Sequence, residues 1–185
     1  MAVGLAIAAV GLLWLTQVSA EEGLAVLVSA SVVYSLGLAP LFTLTNDLII
    51  GTAPPERAGA ASAISETGAE LGGALSIAIL GTIGTAVYRL QVDDAIPAEV
   101  PAGAVESARD TLGGAVAATA GLPDRLAGPV LEAARESFTQ GFQVVALVSA
   151  VIAALSAVGV VVFLRNVRGV EHDPAPEAAP ALEPQ

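Results

Sequence analysis

The sequence predicts an all-α integral membrane protein with four transmembrane helices and a long polar connection between the third and the fourth. Two observations support this fold class. Of the 185 residues, 55% are hydrophobic and 14% are charged, whereas about 25% of residues are charged in an ordinary soluble domain. Four separate apolar runs also reach the roughly 20 residues that a helix needs to cross a bilayer. The length of these runs disfavours a soluble Ala-rich helical bundle.

The composition also excludes several classes of function. Seven basic residues, all of them Arg, stand against eighteen acidic residues, and the net charge is -11. This balance disfavours nucleic-acid binding, because phosphate contacts need a basic surface. The sequence contains no cysteine, and its one histidine, His172, lies in a Pro-rich stretch near the end. With no nucleophile motif and no Gly-rich phosphate loop, we expect no enzyme, no cofactor and no metal site.

Residues 2–20 form the first predicted transmembrane helix. They are almost entirely Ala, Val, Leu, Ile and Gly, and Trp14 suits a membrane interface. The alternative is a signal peptide cleaved after Val18-Ser19-Ala20. The lack of a basic segment before the long apolar run disfavours that alternative.

Residues 23–50 form the second predicted helix, which follows a very short polar turn at Glu21 and Glu22. Pro40 should kink this helix, because proline removes a backbone hydrogen bond and clashes with the preceding turn. Asn46 and Asp47 near its end are interpreted as polar residues that solvate the membrane boundary. Residues 51–57, which include Pro54-Pro55-Glu56-Arg57, then form a short loop that starts the next helix.

Residues 58–88 form the third predicted helix, and the argument about function centres on it. Glu66 and Glu70 stand four residues apart in an otherwise apolar run, so they lie on one face of the helix. An acid inside a membrane is costly and usually functional. The alternative interpretation is that both acids pack against polar neighbours between helices.

The same helix carries small residues at spacings that let another helix approach closely. Gly68 and Gly72 are four apart, as are Gly72 and Ser76, and Gly73 lies on the same stripe as the two acids. We therefore predict a helix-packing role for these four positions.

Residues 89–139 are predicted to form a connection outside the membrane. Two amphipathic patches, at about 105–120 and 125–138, predict short helices at or beyond the membrane surface. Residues 140–164 form the fourth predicted helix, and residues 165–185 form a Pro/Ala/Glu-rich tail that we expect to be disordered. Three Arg flank one side of the membrane and four the other, so the charge count does not settle the orientation.

The stretch 46–89 resembles the late part of the fourteen-helix drug:proton antiporters of the major facilitator superfamily, the EmrB/QacA type. Its most specific part runs from Pro54-Pro55-Glu56-Arg57-Ala58-Gly59 to Gly72-Gly73-Ala74-Leu75. The resemblance implies that the four helices correspond to the last four of that family. It also implies a cytoplasmic loop at 51–57, an external loop at 89–139 and a cytoplasmic tail. A full member is about three times as long, so we expect a fragment, a truncated reading frame or a split gene.

The resemblance implies a multi-pass transporter of the cell membrane that exports lipophilic, cationic drugs or metabolites and uses the proton gradient as its energy source. Glu66 and Glu70 match positions at which related exporters carry acids proposed to act in protonation or cation recognition. Glu70 is the better candidate for proton coupling because it lies deeper. The expected partners are the lipid bilayer, a small-molecule substrate, and the missing N-terminal transporter helices or another copy. The alternative is a non-transporting membrane packing or assembly module.

Overall fold

The computed structural model describes residues 1–20 and 23–164. These residues form helices joined by turns, and no strand occurs among them, so the all-helical prediction is confirmed. A single 3-10 turn at Pro55–Arg57 joins the second and third helices. The predicted Glu21–Glu22 turn and the predicted disordered tail lie outside the described residues. The helices are α1 (Ala2–Leu15), α2 (Gly23–Thr52), α3 (Ala58–Ala95), α4 (Ala102–Asp110), α5 (Leu112–Thr119) and α6 (Asp124–Leu164).

Three stretches of the described chain are long and apolar enough to cross a membrane: Gly23–Thr52, Pro55–Ala95 and Asp124–Phe163. The first helix is apolar but shorter. Its 14 residues extend about 21 Å at a rise of about 1.5 Å per residue, less than the hydrocarbon core of about 30 Å. The described structure therefore has three helices of spanning length and one short apolar helix, where the sequence predicted four spans.

The first helix ends before residue 20 because its last turn tightens and is held by another helix. The backbone N–H groups of Thr16, Gln17 and Val18 each donate to the carbonyl three residues earlier, at 3.0–3.2 Å. The Thr16 hydroxyl also donates to the Leu13 carbonyl at 2.7 Å. In addition, the Gln143 side-chain amide of α6 donates to the Val18 carbonyl at 2.7 Å. The helix therefore ends at Leu15 and the chain continues as a turn, where the sequence predicted a span to residue 20.

The third and last helices are longer than predicted at the end of the bundle where they meet, which we call the cap end. The third helix continues past residue 88 to Ala95, and the last one begins at Asp124 instead of residue 140. Ile96 is extended and Pro97 follows it, while Pro123 accepts the first hydrogen bonds of α6. The second amphipathic patch, predicted to be a separate short helix, is therefore the first part of α6.

The polar connection is reduced to residues 96–123, and it is folded. The first amphipathic patch forms two short helices, α4 and α5, and the Thr111 hydroxyl caps α5 by accepting from the Gly114 N–H at 2.9 Å. A small apolar core joins this connection to α3 and α6. Its buried members are Tyr88, Val92, Val100, Ala108, Ala115, Val130 and Ala134.

Within the bundle, α1 packs against α2 and α6, and α3 packs against α6. The 38 residues of α3 extend about 57 Å at a rise of about 1.5 Å per residue. That length is nearly twice the hydrocarbon core of about 30 Å. The helix is therefore longer than one bilayer crossing requires, and its cap end carries the charged residues Arg89 and Asp93.

Candidate functional site

The two predicted carboxylates lie on the half of α3 that is remote from the cap end. Glu66 and Glu70 are one helical turn apart, which brings their Cβ atoms within roughly 6 Å. Both side chains are exposed. Neither forms a hydrogen bond or an ion pair with the part of the chain that the structure describes.

The surroundings of these acids are equally exposed. The large apolar side chains of this half are mostly exposed, as Ile64 and Ile77 show with exposed fractions of 73% and 77%. Within Pro55–Ala95, only 6% of the most apolar 18-residue stretch is buried. A helix of spanning length therefore presents both its apolar side and its acids to whatever surrounds the chain.

The four predicted packing positions are not brought against another helix by the described chain. A Cβ atom placed on Gly68, Gly72 or Gly73 would meet nothing within 4 Å. Ser76 differs, since it lines an apolar groove of about 480 Å³ between α3 and α6, together with Phe138. The packing role of the three glycines therefore stays a prediction that needs a partner beyond the described residues.

Close helix packing occurs instead at glycines that the sequence reading missed. A Cβ on Gly37 would lie 2.5 Å from both the Ala8 nitrogen and the Gly4 carbonyl oxygen, and a Cβ on Gly11 would lie 2.5 Å from the Tyr34 nitrogen. The available signal was the spacing of Gly4, Ala8 and Gly11, which places three small residues on one face of α1.

A second glycine pair forms the crossing of α3 and α6. A Cβ on Gly141 would lie 2.9 Å from the Gly84 carbonyl oxygen, and a Cβ on Gly84 would lie 3.2 Å from a methyl group of Val145. No spacing in the sequence pairs residues 57 positions apart, so this contact was not predictable from one helix alone.

The remaining predicted positions lie on α2. The helix is continuous through Pro40, and a Cβ on Gly4 would approach the Pro40 ring at 3.8 Å, so the ring faces α1. Asn46 and Asp47 are exposed, and the helix continues past them to Thr52. The kink at Pro40 and the boundary role of the two polar residues stay predictions.

A groove of about 960 Å³ opens at the cap end, between the turn after α1, the end of α3 and the start of α6. Glu132, Arg135 and Glu136 line it together with Gln91 and Gln140. The groove is separate from the paired acids, because Gln91 lies 21 residues beyond Glu70, or about 32 Å along the helix.

Two curated proteins are similar to this chain. The chain is 39% identical over 162 residues to the multidrug efflux pump LfrA of Mycolicibacterium smegmatis, covering 86% of this chain and 32% of the pump. It is 31% identical over an alignment of 192 positions to the tetracenomycin C resistance and export protein of Streptomyces glaucescens, covering 98% of this chain and 34% of that protein. No family model and no solved structure matches the chain.

The chain thus spans about a third of the length of the curated relatives that it matches. Both relatives are named for efflux or export, so the similarity points to membrane transport and not to an enzyme. Together with three apolar helices of spanning length, it identifies a helical membrane protein similar to drug exporters.

Proposed function

We propose that the chain forms part of a proton-coupled exporter of lipophilic, cationic drugs or metabolites in the cell membrane, of the fourteen-helix EmrB/QacA type. One observation carries the proposal. Glu66 and Glu70 lie on a helix of spanning length, exposed and without a partner among the described residues, in a sequence similar to two export proteins.

The exposure of the two acids supports a cavity or a covering partner. A carboxylate that faces lipid at mid-membrane costs about 2.5–3.5 kcal/mol or more, and intramembrane acids almost always face a bundle interior or a water-filled cavity. The described chain supplies neither, because this half of α3 is exposed. Further helices, from the rest of a longer transporter or from a second copy, would cover this face and enclose the acids.

Depth favours Glu70 for the coupling role. From Ala58, where α3 begins, Glu66 lies about 12 Å and Glu70 about 18 Å along the helix axis. Glu70 therefore reaches the middle of a hydrocarbon core of about 30 Å, and Glu66 lies nearer the mouth. A carboxylate enclosed there can hold either a proton or a cationic substrate, and alternating access would exchange one for the other.

The proposal is tested by efflux of a fluorescent lipophilic cation from bacteria that lack their own exporters. The chain is expressed alone, and then together with the part of the LfrA pump to which it does not align. We expect efflux only when both are present, with membrane insertion of the chain equal in both cases.

Efflux by the chain alone would assign the covering role to a second copy. Absence of efflux in both cases, with insertion confirmed and intact LfrA active in the same cells, would contradict the transport proposal and favour the packing or assembly module.

A further inference from the structure

The cap-end connection contacts α3 through charges that alternate along both helices. The Arg109 guanidinium of α4 pairs with the Asp93 carboxylate of α3 at 2.8 Å. One turn earlier on α3, the Arg89 guanidinium pairs with the Asp110 carboxylate at 3.4 Å. Each helix therefore contributes one cation and one anion, and a shift of α4 along α3 would bring like charges together.

A buried hydrogen bond accompanies these ion pairs. The Tyr88 hydroxyl, on a side chain that is only 5% exposed, donates to the Ala108 carbonyl of α4. Val92, one turn further along α3, is fully buried in the same core. Exposed ion pairs contribute little to stability, so the buried ring, valine and hydrogen bond hold the contact, and the charges select its register.

The same connection also contacts α6. Ala115 of α5 lies in one buried core with Val130 and Ala134 of α6, and α5 packs directly against α6. Residues 96–123 thus run from α3 across to α6 and contact both helices.

The closest contact between α3 and α6 lies next to this core. A Cβ on Gly141 would stand 2.9 Å from the Gly84 carbonyl oxygen, one turn before Tyr88. On the far side of this crossing, a Cβ on Gly81 or Gly73 would meet nothing within 4 Å. The closest backbone approach between α3 and α6 therefore lies at the Gly84–Gly141 crossing, and beyond it Ser76 and Ile77 of α3 line a groove with Phe142 and Val145 of α6.

We infer that residues 96–123 form a strap that joins the cap-end parts of α3 and α6 into one rigid unit, with the Gly84–Gly141 crossing as the pivot of α3. The half of α3 that carries Glu66 and Glu70 swings about this pivot together with the Pro55–Arg57 turn that joins it to α2, while the cap end keeps its geometry. This inference goes beyond the proposed function, because it concerns motion within the chain and holds whether or not the chain transports.

The experiment measures distances between spin labels in the 185-residue chain in lipid nanodiscs. The chain has no cysteine, so two introduced cysteines are the only labelling sites. Leu90→Cys with Glu132→Cys reports on the cap end, and Ile64→Cys with Val158→Cys reports on the opposite half. We expect a single narrow distance distribution for the cap-end pair and at least twice that width for the other pair.

A variant of the strap provides the second measurement. Tyr88→Ala removes both the buried ring and the donor to Ala108, and we expect it to at least double the width of the cap-end distribution. Tyr34→Ala, at the contact between α1 and α2, is the matched control and should leave that distribution narrow. Circular dichroism establishes that both variants keep their helix content.

Two results would overturn the strap. One is a cap-end distribution in the parent chain as broad as that of the Ile64–Val158 pair. The other is a cap-end distribution that stays narrow in Tyr88→Ala with the helix content unchanged. Neither result depends on efflux, so failure of the strap and failure of the proposed transport are told apart.

Discussion

The two halves of α3 differ in the size of their side chains and in what covers them: residues 58–77 are mostly Gly, Ala and Ser, whereas residues 78–95 carry more large aliphatic and charged side chains. At the cap end, Tyr88 and Val92 are 5% and 0% exposed, whereas Ile64 and Ile77 in the other half are 73% and 77% exposed. The cap-end half packs against α4 and α6, whereas a Cβ on Gly68, Gly72 or Gly73 in the other half would meet nothing within 4 Å. The buried residues of α3 therefore lie where α4 and α6 pack against it.

The glycines of the two halves of α3 differ in the same way. Gly84 contacts Gly141 closely, while Gly72 has open space around it. Small residues permit close approach but do not create it, because association needs a second surface of matching shape. The exposed half of α3 has the small-residue composition of a helix–helix interface. The described chain does not supply the surface that would pack against it.

The largest expected effect concerns transport and the exposed half. If this half carries the coupling function, Glu70→Gln should abolish proton-coupled export by the complete transporter, because a neutral amide cannot alternate between proton and cation. Membrane insertion should be unchanged, since the charge is removed and not added. Efflux of a fluorescent cation and the amount of inserted protein are measured together, with Glu132→Gln at the cap end as the matched control. Unchanged efflux in Glu70→Gln would remove the coupling role.

The next largest effect concerns stability, and here a substitution at the cap end should matter more than one in the exposed half. Gly141→Leu places side-chain atoms against the Gly84 carbonyl, which is backbone and cannot yield cheaply. We expect a loss of about 1–3 kcal/mol or more, measured as a lower thermal midpoint of the chain in detergent. Gly72→Leu is the matched control on the exposed half and should leave the midpoint of the chain alone nearly unchanged.

In the complete transporter, the prediction for Gly72→Leu reverses. If the exposed half is an interface, the added side chain should block docking of the covering helices and reduce efflux. Normal assembly and efflux by Gly72→Leu would show that no helix approaches closely at this position.

A smaller effect is expected at the buried hydrogen bond of the cap end. Tyr88→Phe keeps the ring and leaves the fully buried Ala108 carbonyl without its donor, at a cost of about 1–3 kcal/mol. Faster amide hydrogen exchange in α4 and α5, with exchange in α1 and α2 unchanged, is the expected readout. Tyr34→Phe is the control, because the Tyr34 hydroxyl has no hydrogen bond among the described residues. Unchanged exchange in α4 and α5 would show that the hydroxyl adds nothing to the cap.

The sequence was sufficient to predict the helical membrane class and the long apolar helices, because hydrophobicity over about 20 residues reflects the bilayer directly. It also placed Glu66 and Glu70 on one face, since that follows from helical periodicity alone. The ends of α1, α3 and α6 in the structure differ from those of the predicted spans. Those ends depend on tertiary contacts, such as the hydrogen bond from Gln143 to Val18, which no local pattern encodes.

The cap was predicted only as short surface helices for a related reason. Its core consists of small or single apolar residues such as Val100, Ala108 and Ala115, which are too sparse to give a strong periodic signal. The charges that align it with α3 are twenty or so residues apart in the sequence, and their pairing becomes evident only once the chain has folded back. The packing glycines were predicted from their spacing along one helix. Spacing alone does not show which glycine contacts another helix.

The smallest expected effect concerns the ion pairs that align α4 with α3. In Asp93–Arg109 the side chains are 33% and 56% exposed, so Arg109→Asp should cost at most about 1 kcal/mol. It should lower the thermal midpoint slightly, and less so at about 1 M salt, where charges are screened beyond about 3 Å. The double change Asp93→Arg with Arg109→Asp should restore the midpoint, because it places opposite charges at this position again. The more exposed pair Arg89–Asp110 should give a smaller loss by the same test.

A double variant no more stable than Arg109→Asp alone would mean that the arginine acts through packing of its aliphatic stem, and the charges would then play no part in aligning α4 with α3.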